Sequence, residues 1–168
     1  MARSEFLFEK QVDLVLAALT KPNATVIKTA LHTGLRIGDV LSLRADQLAP
    51  RFWITEQKTG KRRQVGLPAP LLAEIRAGAG DIWAFPGRDP KKHRTRQAVW
   101  YDVKRAAKLF RMTQNVTPHS FRKLYAVRLM KRHGEIDRVR RALNHKDILT
   151  TMIYAMADRI LEEKQRTS

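Results

Sequence analysis

The chain has 168 residues, enough for one domain with a hydrophobic core, and its 43% apolar content argues against wholesale disorder. It contains no cysteine, which excludes disulfides, thiolate nucleophiles and cysteine-based zinc sites. No run is long and apolar enough to predict a membrane span, and the first residues lack a signal-peptide pattern. The five histidines form no recognised metal-binding motif.

The net charge is strongly positive, with 33 Lys and Arg against 16 Asp and Glu, a charge of +17 and a pI near 10.9. Residues 88–146 hold 18 of these basic residues and only four acidic ones. Such a field favours a polyanionic partner and salt-dependent binding, so nucleic acid is the leading expectation. An anionic membrane surface is a weaker alternative, because the basic residues are spread around helices that also carry core positions. A further alternative is that the positive charge serves only to keep the protein soluble.

The first third of the chain is predicted to be helical. Apolar positions predict a helix over residues 5–19, after which Asn23 is expected to cap a second helix that ends at Gly34. A short third helix is predicted over residues 38–43. Arg36 is therefore expected in a bend between two packed helices.

The hydrophobic period changes to that of β-strands in the next segment. Residues 52–55 and 64–67 are predicted to form a hairpin, since Gly60 lies in the short polar link that also holds Lys58. Residues 46–48 are expected to add a first short strand. The predicted fold is mainly α with a small three-stranded antiparallel β-sheet.

Helices are predicted for most of the remaining chain. One passes through Leu72 and Ile75 and stops at Gly78; another is capped by Thr95 and has core positions that extend to Phe110. Between them lies a basic loop, and no repeat or long linker interrupts the chain.

Four further helices complete the predicted order. The first begins with Thr117 as cap and Pro118 at the first helical position, and Gly134 is its expected stop. The other three are predicted over residues 135–143, from Asp147 to Tyr154, and as a polar tail over residues 158–168.

The start of the Thr117 helix carries a pattern suited to phosphate. His119 and Arg122 are three residues apart and therefore share a helix face, in a first turn whose free backbone N–H groups favour an anion. Arginine presents a planar fork to two oxygens, and histidine can move a proton near neutral pH. A capped surface helix with two solvated side chains is the plain structural alternative for this stretch alone.

Other polar residues have structural alternatives of their own. Arg36 could simply pair with Asp39 at a helix junction, and Lys58 could be a solvated turn residue. His145 follows a helix, and Tyr154 lies nine residues later on an apolar helix, where tyrosine is ordinarily a core residue.

Taken together in this order, the motifs resemble the tyrosine recombinase (phage integrase) family. The matching stretches are His32-Thr33-Gly34-Leu35-Arg36, Lys58-Thr59-Gly60-Lys61, Thr117-Pro118-His119-Ser120-Phe121-Arg122, Leu143-Asn144-His145 and Thr150-Thr151-Met152-Ile153-Tyr154. The resemblance covers residues 5–160. Asn144 stands where the family usually has glycine, and Lys123 where it often has histidine.

The resemblance implies a site-specific recombinase that breaks and rejoins DNA through a 3′-phosphotyrosyl intermediate, without metal or ATP. The implied catalytic residues and roles are Tyr154 as nucleophile, Arg36 and Arg122 as phosphate clamp, Lys58 as acid for the leaving 5′-oxygen, His119 in proton transfer, and His145 on a phosphate oxygen. Asp39 is expected to support the arginine bend.

The resemblance also implies the partners and the location. Double-stranded DNA is the expected partner, with self-association into a tetramer on paired sites, no membrane, no metal and no small-molecule cofactor. The expected location is cytoplasmic and nucleoid-associated. We expect residues 1–168 to form a single catalytic domain, without the family's N-terminal core-binding domain and with residues 158–168 as the tail.

Two alternatives remain open at this stage. A type IB topoisomerase-like enzyme uses a similar site to relax DNA, and partner exchange between duplexes would distinguish a recombinase from it. A non-catalytic DNA-binding regulator would keep the fold, but it would not need Tyr154. A basic RNA-binding protein is a more distant possibility.

Overall fold

A computed structural model describes residues 4–133 and residue 139. The predicted stop at Gly134, the helices over residues 135–143 and 147–154, and the tail helix over residues 158–168 lie outside the described residues. The elements within them are α1 (Glu9–Ala18), α2 (Lys21–Thr33), α3 (Ile37–Leu41), a 3₁₀ turn (Ala45–Gln47), β1 (Arg51–Thr55), β2 (Arg62–Gly66), α4 (Ala69–Gly78), α5 (Arg96–Leu109) and α6 (Pro118–His133).

Helix α2 lies at the centre of the domain. It packs against α1, α3, α4, α5 and α6, and its side chains Val26, Ile27 and Ala30 are almost fully buried. Buried positions lie on more than one face of α2, unlike those of a surface helix, and they include Thr25, Thr29 and Thr33. The bend that follows α2 is thereby fixed against the core, and it carries Arg36.

The sheet formed by the described residues has two antiparallel strands, β1 and β2, with Phe52 opposite Val65. The third strand predicted at residues 46–48 is wrong, because Ala45–Gln47 form a 3₁₀ turn. The Gln47 side chain accepts a hydrogen bond from the backbone N–H of Arg44 at 3.0 Å, and this local bond stabilises the turn. Arg44, just before this turn, forms an isolated antiparallel bridge with Trp83, separate from the sheet.

Three other sequence expectations need correction. Helix α1 begins at Glu9 rather than residue 5, since the preceding segment is extended and still buries Phe6 and Leu7. Phe110 is the C-terminal cap of α5 and is 37% exposed, so it is not a core residue. Asn23 does not cap α2, because the helix already begins at Lys21.

A buried carboxylate from α5 stabilises the start of α2 instead. Asp102 Oδ2 accepts hydrogen bonds from Thr20 N at 2.9 Å, Thr20 Oγ1 at 2.8 Å and Asn23 Nδ2 at 2.7 Å. Asp102 Oδ1 accepts from Arg105. A carboxylate at a helix N-terminus also suits the helix dipole. Asp102 therefore ties α5 to the first turn of the central helix.

This carboxylate predicts a specific loss of stability in acid. Burial raises the pKa of Asp102, but the hydrogen bonds from Asn23, Thr20 and Arg105 outweigh it and lower the pKa to about 2, against 3.8 ordinarily. Because the folded-state pKa is the lower one, Asp102 stabilises the fold above pH 4, and this contribution, about 2 kcal/mol, is lost as the pH falls towards 2.

Urea unfolding between pH 6 and pH 2 should show that the stability of Asp102→Asn depends less steeply on pH than that of the wild type. Asp46→Asn, at an exposed carboxylate, is the control and should follow the wild-type curve; a D102N curve as steep as wild type would contradict the assignment.

Gly34 permits the close approach of the α2–α3 bend to α6. It caps α2 with a φ of 65°, and a Cβ at this position would overlap the aromatic ring of Tyr125. Glycine is therefore required twice, for the left-handed backbone and for the missing side chain. The contact brings the bend that holds Arg36 against the helix that holds Arg122.

Gly34→Ala is expected to destabilise the fold by about 3 kcal/mol, from backbone strain and overpacking together. Gly60 is a matched control, because it has the same φ of 65° but open space around the position of a Cβ. Gly60→Ala should cost only the backbone strain, about 1 kcal/mol. Urea midpoints at constant m-value measure both changes. If the two variants lost the same free energy of unfolding, the Tyr125 ring would have moved aside at no cost, and the overpacking argument would be wrong.

Candidate active site

A cleft of about 490 Å³ opens where α3, the β1–β2 turn and the start of α6 meet. Four of the six predicted catalytic residues line it, namely Arg36, Lys58, His119 and Arg122. They lie up to 86 positions apart in the sequence, so the fold brings them together. His145 and Tyr154 lie outside the described residues.

Arg36 reaches the cleft from the bend between α2 and α3. It is the N-terminal cap of α3 in extended conformation, which confirms the predicted bend. Its Nη1 donates a 2.7 Å hydrogen bond to Glu56 Oε2, so the alternative of a pair with Asp39 is wrong. The Arg36 side chain is 25% exposed and Glu56 only 1%. Arg36 is thus held from behind while it remains accessible from the cleft.

Lys58 lies on the turn of the hairpin and is exposed. Glu56 anchors that turn, because its N–H donates to Lys61 O at 2.9 Å and its C=O accepts from Gly60 N at 2.8 Å. Asp39 Oδ1 accepts from the Gln57 N–H at 2.9 Å. Asp39 thus fixes the lysine turn to α3, and it does not form the pair with Arg36 that the structural alternative offered.

The first turn of α6 supplies the other two side chains. Thr117 Oγ1 accepts from His119 N at 3.2 Å, and Thr117 O accepts from Ser120 N at 2.9 Å, which satisfies N–H groups at the start of the helix. His119 is exposed, whereas Arg122 is 2% exposed. The two residues share the cleft, with the imidazole at its surface and the guanidinium at its base.

The site concentrates positive charge in a partly dry environment. Burial lowers the pKa of Arg122 to about 10; Arg36 and Arg63 act in the same direction, while Glu56 and Asp39 oppose them. Arg122 still carries its charge at neutral pH. A cation held at this cost in free energy is well suited to an anionic ligand, because a bound anion relieves the repulsion.

Sequence reasoning missed three residues of this region. Glu56 and Arg63 form an ion pair, with Nε 3.1 Å from Oε1, behind Arg36. Arg96, at the first position of α5, also lines the cleft and lies within reach of Gly38. The signal available for Glu56 was an acidic residue that continues the alternation of the buried positions Phe52 and Ile54 just past β1, in a very basic chain.

The fold and this cleft place the chain in a known class of proteins: it belongs to the phage integrase family, which it matches over residues 5–159. It is 31% identical over 150 residues to the tyrosine recombinase XerD of Rhizobium meliloti (strain 1021), covering 83% of this chain and 47% of the relative. It is 29% identical over 155 residues to the integrase of Escherichia phage P2, covering 89% and 42%. The chain spans about half the length of the curated relatives it matches.

Solved structures agree on the fold. The XerA recombinase has a TM-score of 0.71 at 18% identity, covering 99% of this chain and 65% of that one. A lambda integrase dimer bound to a COC′ core site has a TM-score of 0.73 at 17% identity, covering 92% and 60%. The mainly helical domain with a small antiparallel sheet is thus the fold of recombinase catalytic domains.

Proposed function

We propose that this chain is the catalytic domain of a site-specific DNA recombinase, which breaks and rejoins DNA through a 3′-phosphotyrosyl intermediate at Tyr154. The observation that carries the proposal is the convergence of Arg36, Lys58, His119 and Arg122 on one cleft. Binding alone would not require a proton donor, an imidazole and two guanidiniums at one place.

The two arginines bind and neutralise the scissile phosphate. Attack on a phosphodiester adds negative charge to the non-bridging oxygens, and arginine can donate two parallel hydrogen bonds to such oxygens. Arg122 at the base of the cleft and Arg36 at its side are held before the substrate arrives, so they need not reorganise during the reaction. His145 donates a further hydrogen bond to the phosphate in this proposal.

Proton transfer completes the chemistry. The Tyr154 hydroxyl attacks phosphorus and loses its proton with the assistance of His119, while Lys58 protonates the departing 5′-oxygen. The bond between phosphorus and the 5′-oxygen breaks as the bond to the tyrosine oxygen forms, so one phosphate ester replaces another and its energy is retained. The reverse attack by a 5′-hydroxyl reseals the same strand or joins a new partner, and no ATP is consumed.

The partner in this proposal is double-stranded DNA, which accords with the charge of +17. Two duplexes are joined by a tetramer assembled on paired sites, and residues 158–168 dock between subunits. None of the described helices is long and apolar enough to span a membrane. We place the activity in the cytoplasm at the nucleoid, where such DNA is found.

The test is to trap the intermediate. DNA substrates with a nick or a bridging phosphorothiolate near the scissile position prevent resealing and so trap the intermediate. Libraries of candidate target sites are prepared in this form and screened in the presence of EDTA. Protein should remain on the 3′ end after SDS, and peptide mapping should place the link at Tyr154. Attachment to the 5′ end, attachment through another residue or loss of the adduct with EDTA would overturn the proposal. Exchange of strands between two labelled duplexes separates recombination from simple relaxation.

Lys58 gives a prediction that depends on the leaving group. Lys58→Ala is expected to slow cleavage of ordinary DNA by about 10²-fold, the lower end of the range that general acid–base catalysis contributes. The same variant should cleave a 5′-bridging phosphorothiolate at close to the wild-type rate, since a sulfur leaving group needs no acid. Lys61→Ala, in the same turn, is the control. Equal defects of Lys58→Ala on both substrates would assign Lys58 to phosphate binding instead.

A further inference from the structure

Glu56 is the buried acidic group at the centre of the basic cluster behind the cleft. Its side chain is 1% exposed, yet it directly follows β1 and precedes a turn that is mostly exposed. Arg36 Nη1 donates to Oε2 at 2.7 Å, and Arg63 Nε lies 3.1 Å from Oε1. Thr59 Oγ1 also donates to Oε2, at 3.2 Å. Each carboxylate oxygen thus has a cationic neighbour on a different element.

The connections of Glu56 link the separate parts of the cleft. Arg63 belongs to β2, and its Nη2 donates to Thr33 O, the last residue of α2, at 2.9 Å. Arg36 begins the next helix, and Lys58 follows Glu56 by two residues on the same chain. The network therefore joins the end of α2, the Arg36 bend and the lysine turn through one carboxylate.

The charges explain why a carboxylate is needed at this position. Burial, Arg36 and Arg63 lower the pKa of Arg122, and Glu56 is the residue that opposes them most strongly. A buried ion is costly unless it is paired, and removal of one partner leaves the others uncompensated. Without Glu56, Arg36 would be repelled by Arg63 and Arg122 towards solvent.

We propose that Glu56 is a positioning residue for the cleavage reaction: it holds the guanidinium of Arg36 at the side of the cleft against the repulsion of Arg63 and Arg122. This inference rests on the proposed function, because the step it affects is attack at the phosphate. Glu56 pairs with Arg36 from behind, is 1% exposed and does not line the cleft. Its removal should therefore alter the rate of cleavage and not weaken attraction of DNA to the site.

Glu56→Gln preserves the shape of the side chain and removes its charge. In single-turnover reactions at saturating DNA, the adduct should form about tenfold more slowly, while DNA affinity stays equal to wild type or becomes tighter because the site loses a negative charge. Partial unfolding would instead lower both the rate of adduct formation and the affinity for DNA. Glu74→Gln is the matched control, since Glu74 pairs with Lys28 on another part of the domain, and it should leave rate and affinity unchanged. An unchanged rate in Glu56→Gln, or a loss of affinity that accounts for the slower reaction, would overturn the proposal.

Variants of Arg63 distinguish two possible roles of Glu56, namely positioning of Arg36 and simple neutralisation of the charge of Arg63. Arg63→Gln leaves the Glu56–Arg36 pair in place and should retain a rate within about threefold of wild type. The double variant Glu56→Gln/Arg63→Gln should remain slow, because Arg36 still lacks its partner. Full recovery in the double variant, or an Arg63→Gln defect as large as that of Glu56→Gln, would show that Glu56 serves only to neutralise Arg63.

A measurement without DNA distinguishes failure of this inference from failure of the proposed function. If wild type forms no adduct on any substrate, the recombinase proposal fails, and the pairing is then judged by urea unfolding of Glu56→Gln, Arg36→Gln and the double variant. The unfolding equilibrium constant of the double variant should differ by about tenfold from the value expected if the two substitutions acted independently, which is typical of a contacting pair. Additive effects within twofold would overturn the assignment of Glu56 to Arg36.

Discussion

Tyr154→Phe is expected to abolish the covalent protein–DNA adduct while leaving DNA affinity within about twofold of wild type. The substitution removes one hydroxyl and keeps the aromatic ring, so the binding surface is almost unchanged. A tyrosine hydroxyl ordinarily has a pKa of about 10 and is a weak nucleophile at neutral pH. It becomes reactive only where a base accepts its proton and cations neutralise the phosphate. In the proposed mechanism these are His119, Arg36 and Arg122, which line one cleft.

Tyr101→Phe is the matched control. Tyr101 lies on α5, is 66% exposed and does not line the cleft, so the change of one hydroxyl there should affect neither adduct nor binding. Adduct yield is read after SDS on a substrate that traps cleavage, and affinity is measured on intact DNA. Persistence of a full yield of adduct in Tyr154→Phe would assign the nucleophile to another residue.

Arg122→Ala is expected to slow adduct formation by 10²-fold or more, the scale of losing one transition-state donor. The guanidinium is at the base of the cleft and is 2% exposed, so water cannot readily replace its hydrogen bonds. Arg122→Lys should recover part of the rate, because it restores charge without the planar fork. Lysine in so buried a place should also lose its proton more easily than arginine, which makes the variant's rate more sensitive to pH.

Arg132→Ala provides the control on the same helix. Arg132 is exposed in the last turn of α6, ten residues and about 15 Å along the axis from Arg122. It should reduce DNA affinity at most modestly and leave the rate at saturation unchanged. Urea unfolding of both variants separates catalysis from stability, since truncation of a buried arginine also leaves a cavity. A slow rate that follows the folded fraction would remove Arg122 from the catalytic assignment.

The local features that the sequence predicted well depend on neighbouring residues. Thr95 caps α5 and accepts from Ala98 N at 3.1 Å, Gly34 ends α2, and Arg36 lies in the bend after it. Each follows from side-chain chemistry within three or four residues. The errors at Asn23 and Arg36 arose where a distant partner replaced the local one. Asn23 bonds to Asp102, 79 residues away, and therefore lies inside α2 rather than at its cap.

The sequence by itself determined the family, the order of the motifs and the polyanionic partner expected from the charge, because these depend on residue type and spacing alone. The tertiary structure decided which charges meet. Arg36 has Asp39 three residues away, yet it pairs with Glu56, 20 residues away, because the hairpin places that carboxylate, just after β1, against the bend. Asp39 instead binds the turn that holds Lys58. Partners of buried ions are chosen by packing across elements, and periodicity along one chain carries no information about that choice.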